Sequence, residues 1–292
     1  MDTRNDKTRY ADAGANSPVG DVRSDRSGES TDAVQEGLLV VGHGTRDAAG
    51  VAEFHTAVRR IAAQAQSASL GRNRPAGLLP VEGCFLELAE PTIDVAVSRL
   101  AAAGVRRVTV APLILFAAGH AKRDIPDAVT AAAERHGRLE VRHLSHLGCR
   151  PELIELSARR YREATGDLEP ITAAETLLLM VGRGSRDDEA TAEMHRFARL
   201  RAEAVPIGRL EVAFTAMAEP RLEQAIEVVA RLPFRRIVVQ PHLLFSGELL
   251  DRVRATVRRA AADFPERHWI ATGHLGPEPE IVAAVWGHFA GT

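Results

Sequence analysis

A chain of 292 residues, 45% hydrophobic and with a formal charge of −2, is long enough for two domains of ordinary size, and its near-neutrality excludes polyanion binding driven by bulk charge. Its two cysteines, Cys84 and Cys149, form no C-x-x-C pair; this excludes a disulfide framework or thiolate zinc site and makes the reducing cytoplasm the expected location. Charged residues break every apolar run before the roughly eighteen positions of a membrane span, so neither a membrane nor nucleic acid is an expected partner.

The segment from Met1 to Gln35 is rich in Asp, Arg, Ser and Gly and holds no signal-peptide core, so residues 1–35 read as a disordered leader. Beyond it, apolar runs of strand length alternate with amphipathic stretches of helical period, the pattern of β-α units. In a first half over residues 36–165, strands are expected at Gly37 to Val41, Leu79 to Leu86, Arg107 to Leu113 and Leu139 to Leu144. Helices are expected at Ala48 to Gln66, Pro91 to Ala103, Arg123 to His136 and Pro151 to Ala164. Pro91 suits a first helical turn and Gly104 a helix stop. Residues 166–174, with Gly166 and Pro170, read as a linker. A second half over 175–292 repeats the order, with strands at Thr176 to Val181, Leu210 to Ala216, Arg236 to Pro241 and His268 to Thr272. The predicted fold class is therefore α/β, two tandem domains related by internal duplication, each a four-stranded mainly parallel sheet flanked by helices.

The duplication is selective. Leu38 to Asp47, containing Gly42-His43-Gly44-Thr45-Arg46, returns as Leu178 to Asp187, with Arg183 in place of His43. Phe85-Leu86-Glu87-Leu88-Ala89-Glu90-Pro91 returns as Phe214-Thr215-Ala216-Met217-Ala218-Glu219-Pro220, so Glu87 becomes alanine. The block from Pro112 to His120 returns one residue shorter as Pro241 to Glu248, and His120 becomes glutamate. His43, Glu87 and His120 lie at or beyond the carboxyl ends of the first three strands, the edge at which open α/β sheets bind ligands.

Two imidazoles and a carboxylate suit Fe²⁺, Co²⁺, Ni²⁺ or Zn²⁺, and they also suit proton abstraction near neutral pH. Each residue has an ordinary alternative: His43 as a helix cap, Glu87 as a solvated charge, His120 as a loop histidine. All three would have to coincide with three replacements in the other half. Arg46, Lys122, Arg123, Arg183 and Arg186 cluster in the same loops, where they either bind carboxylates or form a solvated rim. His55, His136, His195 and His288 fall in helical patterns, and His143 and His146 flank a strand end; structural roles are expected for them. Cys84 reads as a small buried side chain.

Gly-His-Gly-Thr-Arg after a strand, Phe-Leu-Glu-Leu-Ala-Glu-Pro-Thr-Ile, and the run from Pro112 to Pro126 together resemble the sirohydrochlorin chelatases, the CbiX and SirB type of class II chelatase. The likeness is specific over Leu38 to Pro126 and weaker through the second half. It implies two chelatase-like domains and insertion of Fe²⁺ or Co²⁺ into sirohydrochlorin without ATP, on a route to siroheme or cobalamin. It also implies no cofactor beyond the substrate metal. His43 and His120 match the family's catalytic histidines and Glu87 the glutamate beside the metal. The eight carboxylates of family substrates give Arg46, Lys122, Arg123, Arg183 and Arg186 the role of substrate anchors. The degenerate second half implies one active centre, facing the cleft between halves, in a monomer with a pseudo-dimeric arrangement. Two rivals stay open. Histidine-nucleophile phosphatases also carry His-Gly after a first strand, but with arginine where Gly42 stands here. A non-catalytic carrier of metal or tetrapyrrole would use the same ligands.

Overall fold

The computed structural model describes residues 35–71, 79–118, 121–166, 168 and 171–291. The expected leader therefore lies almost wholly outside the described residues, and so does His120. Eight strands form two four-stranded sheets. The first has the order β2-β1-β3-β4, with β1 (Glu36–Gly42), β2 (Val81–Phe85), β3 (Arg107–Pro112) and β4 (Glu140–His143). The second has the order β6-β5-β7-β8, with β5 (Thr176–Gly182), β6 (Arg209–Phe214), β7 (Arg236–Pro241) and β8 (His268–Ala271). Every strand pair is parallel, where the sequence predicted mainly parallel sheets. Register is duplicated too: Gly42 pairs with Phe85 and Val41 with Pro112, as Gly182 pairs with Phe214 and Val181 with Pro241.

Helices connect the strands: α1 (Ala48–Gly71), α2 (Ile93–Ala102), α3 (Ala121–Arg135), α4 (Pro151–Thr165), α5 (Asp188–Ala204), α6 (Leu222–Val229), α7 (Glu248–Asp263) and α8 (Pro279–Ala290). Among the described residues no helix is long and apolar enough to cross a membrane. Pro91 stands outside α2, contrary to the sequence expectation. Thr92 caps that helix instead, its hydroxyl accepting from Val95 N, and Glu90 Oε2 accepts from Thr92 N at 3.0 Å. Gly104 is the stop expected: at φ 85° it lets Gly104 N reach Ala101 O and Val105 N reach Leu100 O.

Strand β1 is buried on both faces, as its unbroken apolar run requires. Leu39 and Val41 face a core closed by α2 and α3, with Val97, Leu100 and Val129. Leu38 and Val40 face the other way, into a core that also holds Leu178, Met180 and Phe197 of the second half. The halves therefore do not bury separate cores: each keeps one of its own and shares the other. The shared layer is helical, with α1 packed on α8 and α4 packed on both α5 and α8. Charged groups register it. Arg159 on α4 grips Glu280 through Nε at 2.9 Å and Nη2 at 3.0 Å, and Arg160 Nη2 reaches Glu278 at 2.7 Å. This shared core brings the carboxyl edges of β1 and β5 toward each other.

Candidate active site

His43 follows the last residue of β1, and two glycines hold it there. A Cβ on Gly42 would stand 2.8 Å from the Phe54 ring, and one on Gly44, at φ 105°, would stand 1.7 Å from the carbonyl oxygen of Glu87. Only glycine lets this loop lie against the β2–α2 loop. Glu87 N then donates to His43 O at 3.1 Å, and the two side chains meet with His43 Nε2 3.2 Å from Glu87 Oε1.

The rest of the motif does structural work. Thr45 Oγ1 accepts from Asp47 N at 3.1 Å and Asp47 Oδ1 accepts from Gly50 N at 2.8 Å, which starts α1. In the second half Ser185 Oγ accepts from Asp187 N at 3.0 Å, and Asp187 Oδ1 accepts from Glu189 N and Ala190 N. The helix cap is thus aspartate in both halves, not His43. Similarly Glu90 and its counterpart Glu219 each accept from a backbone N–H two residues on, at 3.0 and 2.9 Å. Residues retained in both halves shape the loops; the side chains of His43 and Glu87, lost from the second, make no such backbone bond among the described residues.

Two donor atoms that share one divalent ion, each about 2.1 Å from it, lie roughly 3.0 to 3.4 Å apart on a tetrahedral or octahedral edge. The 3.2 Å between His43 Nε2 and Glu87 Oε1 matches such an edge without rearrangement. Burial, then the nearby charge of Arg183, lowers the pKa of His43, and Glu87 opposes them only in part. The imidazole is therefore neutral at pH 7, with a lone pair available to a metal. Both groups remain open to solvent, at 36% and 54% side-chain exposure, which leaves room for an incoming ligand. Among the described residues no three His, Cys, Asp or Glu side chains gather as a metal cluster, so the described site is this pair.

Of the five basic residues expected at the rim, Arg46, Arg123, Arg183 and Arg186 are exposed and form no ion pair among the described residues. Lys122 differs. Its ammonium bonds to Asp187 at 2.9 Å and Glu189 at 2.6 Å, joining the start of α3 to the start of α5 across the two halves. Its ammonium is thus already engaged by carboxylates of the chain itself. Sequence reasoning missed the groups that hold the halves in place. Glu53 on α1 meets His274 after β8, and its counterpart Glu193 on α5 meets His146 after β4, at 3.1 and 3.4 Å. His146 thus has the structural role expected for it, and its Nδ1 lies 3.1 Å from Leu115 O.

Backbone geometry marks the rim as well. Ala89 N donates to Glu87 O at 2.8 Å, closing a three-residue turn about Leu88, which has φ 64°. The second half repeats it: Ala218 N donates to Ala216 O at 2.7 Å about Met217, with φ 58°. Turns of this hand are uncommon and strained for residues with side chains.

Comparison with known proteins bears on the family and the fold. The CbiX family model matches residues 37–164 and 177–289, one copy per half. A sirohydrochlorin cobaltochelatase of Priestia megaterium is 27% identical over 84% of this chain and 76% of its own length. A sirohydrochlorin ferrochelatase of the same organism is 28% identical over 67% of this chain and 71% of its own length. Among solved structures, SirB from Bacillus subtilis with Fe³⁺ superimposes with a TM-score of 0.71 at 23% identity, covering 88% of this chain and 94% of that one, which is a likeness of fold. With both repeats matched by the family model, the chain belongs to the CbiX family.

Proposed function

We infer that this protein is a sirohydrochlorin chelatase, a lyase that inserts Co²⁺ or Fe²⁺ into the tetrapyrrole without ATP, in the cytoplasm, on a route to cobalamin or siroheme. The observation that carries the reading is the His43–Glu87 pair, spaced for one metal ion and set on the first of two CbiX repeats. Relatives named for each metal match this chain to a similar degree, and an imidazole–carboxylate donor set accepts either ion.

In the proposed reaction the substrate metal rests on His43 and Glu87, with His120 as the third donor. The tetrapyrrole enters between the halves, and Arg46, Arg123, Arg183 and Arg186 pair with its carboxylates. Ring nitrogens then replace the protein donors one by one, and the two pyrrole protons displaced by the divalent ion pass to solvent water, to which the site is open. Every step is a ligand exchange, so the chemistry calls for no cofactor beyond the metal itself. The second half supplies the wall opposite His43, which gives one centre per monomer.

The experiment is metal insertion by the full chain, under anaerobic conditions, with sirohydrochlorin in large excess. Many equivalents of product per chain support an enzyme; a single equivalent would favour a carrier instead. Hydrolysis of a generic phosphomonoester, with no metal insertion, would transfer the reading to the histidine phosphatases.

A further inference from the structure

The connection from β3 to α3 is fastened to the second half at three points, each of them on α5. Leu115 O lies 3.1 Å from His146 Nδ1, and His146 Nε2 lies 3.4 Å from Glu193 Oε2 on α5. Next along the chain, the Phe116 ring meets Phe197 of α5 at 6.3 Å between centroids. Lys122 Nζ then stands 2.9 Å from Asp187 Oδ2, the cap of α5, and 2.6 Å from Glu189 Oε2 in its first turn. In sequence these anchors fall on either side of His120.

Only part of this is repeated on the other side. The corresponding connection of the second half is fastened to α1, with Phe245 against Phe54 and Ser246 bonded to Glu53. The lysine clasp is not repeated. Two residues beyond Glu248, which stands where His120 does, the chain has Leu250, 1% exposed in the core. On α1, Ala49 stands where α5 has Glu189. A pair that served only to dock the halves would suit both sides of a duplicated interface; this one accompanies the histidine. With Glu189 84% exposed at its side chain, the clasp adds little to global stability. What it fixes is the place of the first turn of α3 against α5.

We propose that Lys122 is a positioning residue for metal binding: it ties the start of α3 to α5, so that the half without the metal donors fixes the connection that carries one of them. This rests on the chelatase reading, with His120 as the third donor. The sign of the effect separates the ways in which a lysine here could matter. A cation beside a bound metal repels it, so a lysine acting by charge alone would weaken Co²⁺ binding, and its removal would tighten it. Loss of a positioning group weakens binding instead. A lysine that anchored a substrate carboxylate would act on the tetrapyrrole, not on the metal.

The test compares the full wild-type chain with Lys122→Met, Lys122→Arg, His120→Ala and Glu53→Gln. Co²⁺ alone is titrated into each by calorimetry and its visible absorption recorded, and insertion is followed at varied Co²⁺ and varied sirohydrochlorin. Lys122→Met is expected to raise Kd and KM for Co²⁺ about tenfold, with KM for sirohydrochlorin within about twofold of wild type and melting close to wild type. The spectrum of its bound Co²⁺ should shift toward that of His120→Ala. Lys122→Arg, which keeps the clasp, should bind Co²⁺ as wild type does. Glu53→Gln loosens the corresponding contact of α1 and should lower the melting temperature without changing Kd for Co²⁺. Wild-type or tighter Co²⁺ binding in Lys122→Met, or a rise in KM for sirohydrochlorin alone, would overturn the inference and leave the chelatase reading standing. An equal loss of Co²⁺ affinity in Glu53→Gln would overturn it too, since loosening either contact would then suffice. A wild-type chain that never metallates sirohydrochlorin would overturn the reading and the inference with it.

Discussion

His274 Nε2 stands 3.1 Å from both carboxylate oxygens of Glu53, so a histidine beyond the last strand of one half is held by the first helix of the other. The same glutamate accepts from Ser246 N at 2.6 Å and Ser246 Oγ at 2.9 Å. Its counterpart Glu193 meets His146 at 3.4 Å, and Ala117, at the position of Ser246, offers it no hydroxyl. Glu53→Ala should therefore lower unfolding free energy by about 2 to 3 kcal/mol, and Glu193→Ala by less, as measured by urea denaturation. A Glu53→Ala, His274→Ala cycle should show that the two losses are not additive.

Arg183 bears on the protonation of His43. Its charge disfavours the imidazolium, so Arg183→Ala should raise the pKa of His43 toward its ordinary value. Metal binds the neutral ring, and the acid limb of Co²⁺ binding should then move to higher pH. Titrations of wild type and variant across about pH 5 to 8, near the ordinary histidine range, check the direction. An unmoved limb would mean that Arg183 does not act on His43.

Much of this arrangement is legible in the sequence, and the limits have physical causes. Leu38-Leu39-Val40-Val41 reads as a strand because it is an unbroken apolar run bounded by glycines, and it is one; the structure adds that it is buried on both faces. His43 and Glu87 stand out because the second copy lacks them. What periodicity does not reveal is which helices carry a second buried face, so the shared core and the Glu53–His274 pair emerge only in three dimensions. The turn at Leu88 is hidden for another reason: leucine carries no turn signal, and its positive φ is imposed by the loop around it. The Lys122–Asp187 pair is hidden too, because a lysine near a rim looks the same in sequence whatever its partner.

His242 offers a pH test of the shared core. It is buried between the rings of Phe116 and Phe197, with centroids at 5.2 and 3.9 Å, and neither ring nitrogen has a hydrogen-bond partner among the described residues. Burial lowers its pKa from 6.5 to about 3. The unfolded chain therefore binds one more proton than the folded chain between these values, and stability should fall as pH drops below about 6.5, by up to about 1.4 kcal/mol per unit. His242→Leu, which copies Leu113 at the matching position, should flatten this slope. Urea unfolding at pH 7 and 5 reads the difference.

The second half repeats the backbone arrangement around His43 and Glu87 without those two side chains. Ala216 N bonds to Arg183 O at 2.8 Å much as Glu87 N bonds to His43 O at 3.1 Å. Arg183→His with Ala216→Glu should therefore create a second, weaker Co²⁺ site, raising the stoichiometry seen by calorimetry from one toward two per chain. Either substitution alone should not.

The central claim is that His43 and Glu87 hold the metal that is inserted. The most direct measurement follows the absorbance of sirohydrochlorin with Co²⁺ or Fe²⁺ in wild type, His43→Ala and Glu87→Ala, each checked for native melting. The account predicts multiple turnovers for wild type and a loss of about 100-fold or more in both variants, the scale expected when a donor to a reacting metal is removed. Wild-type insertion rates in both variants would contradict it.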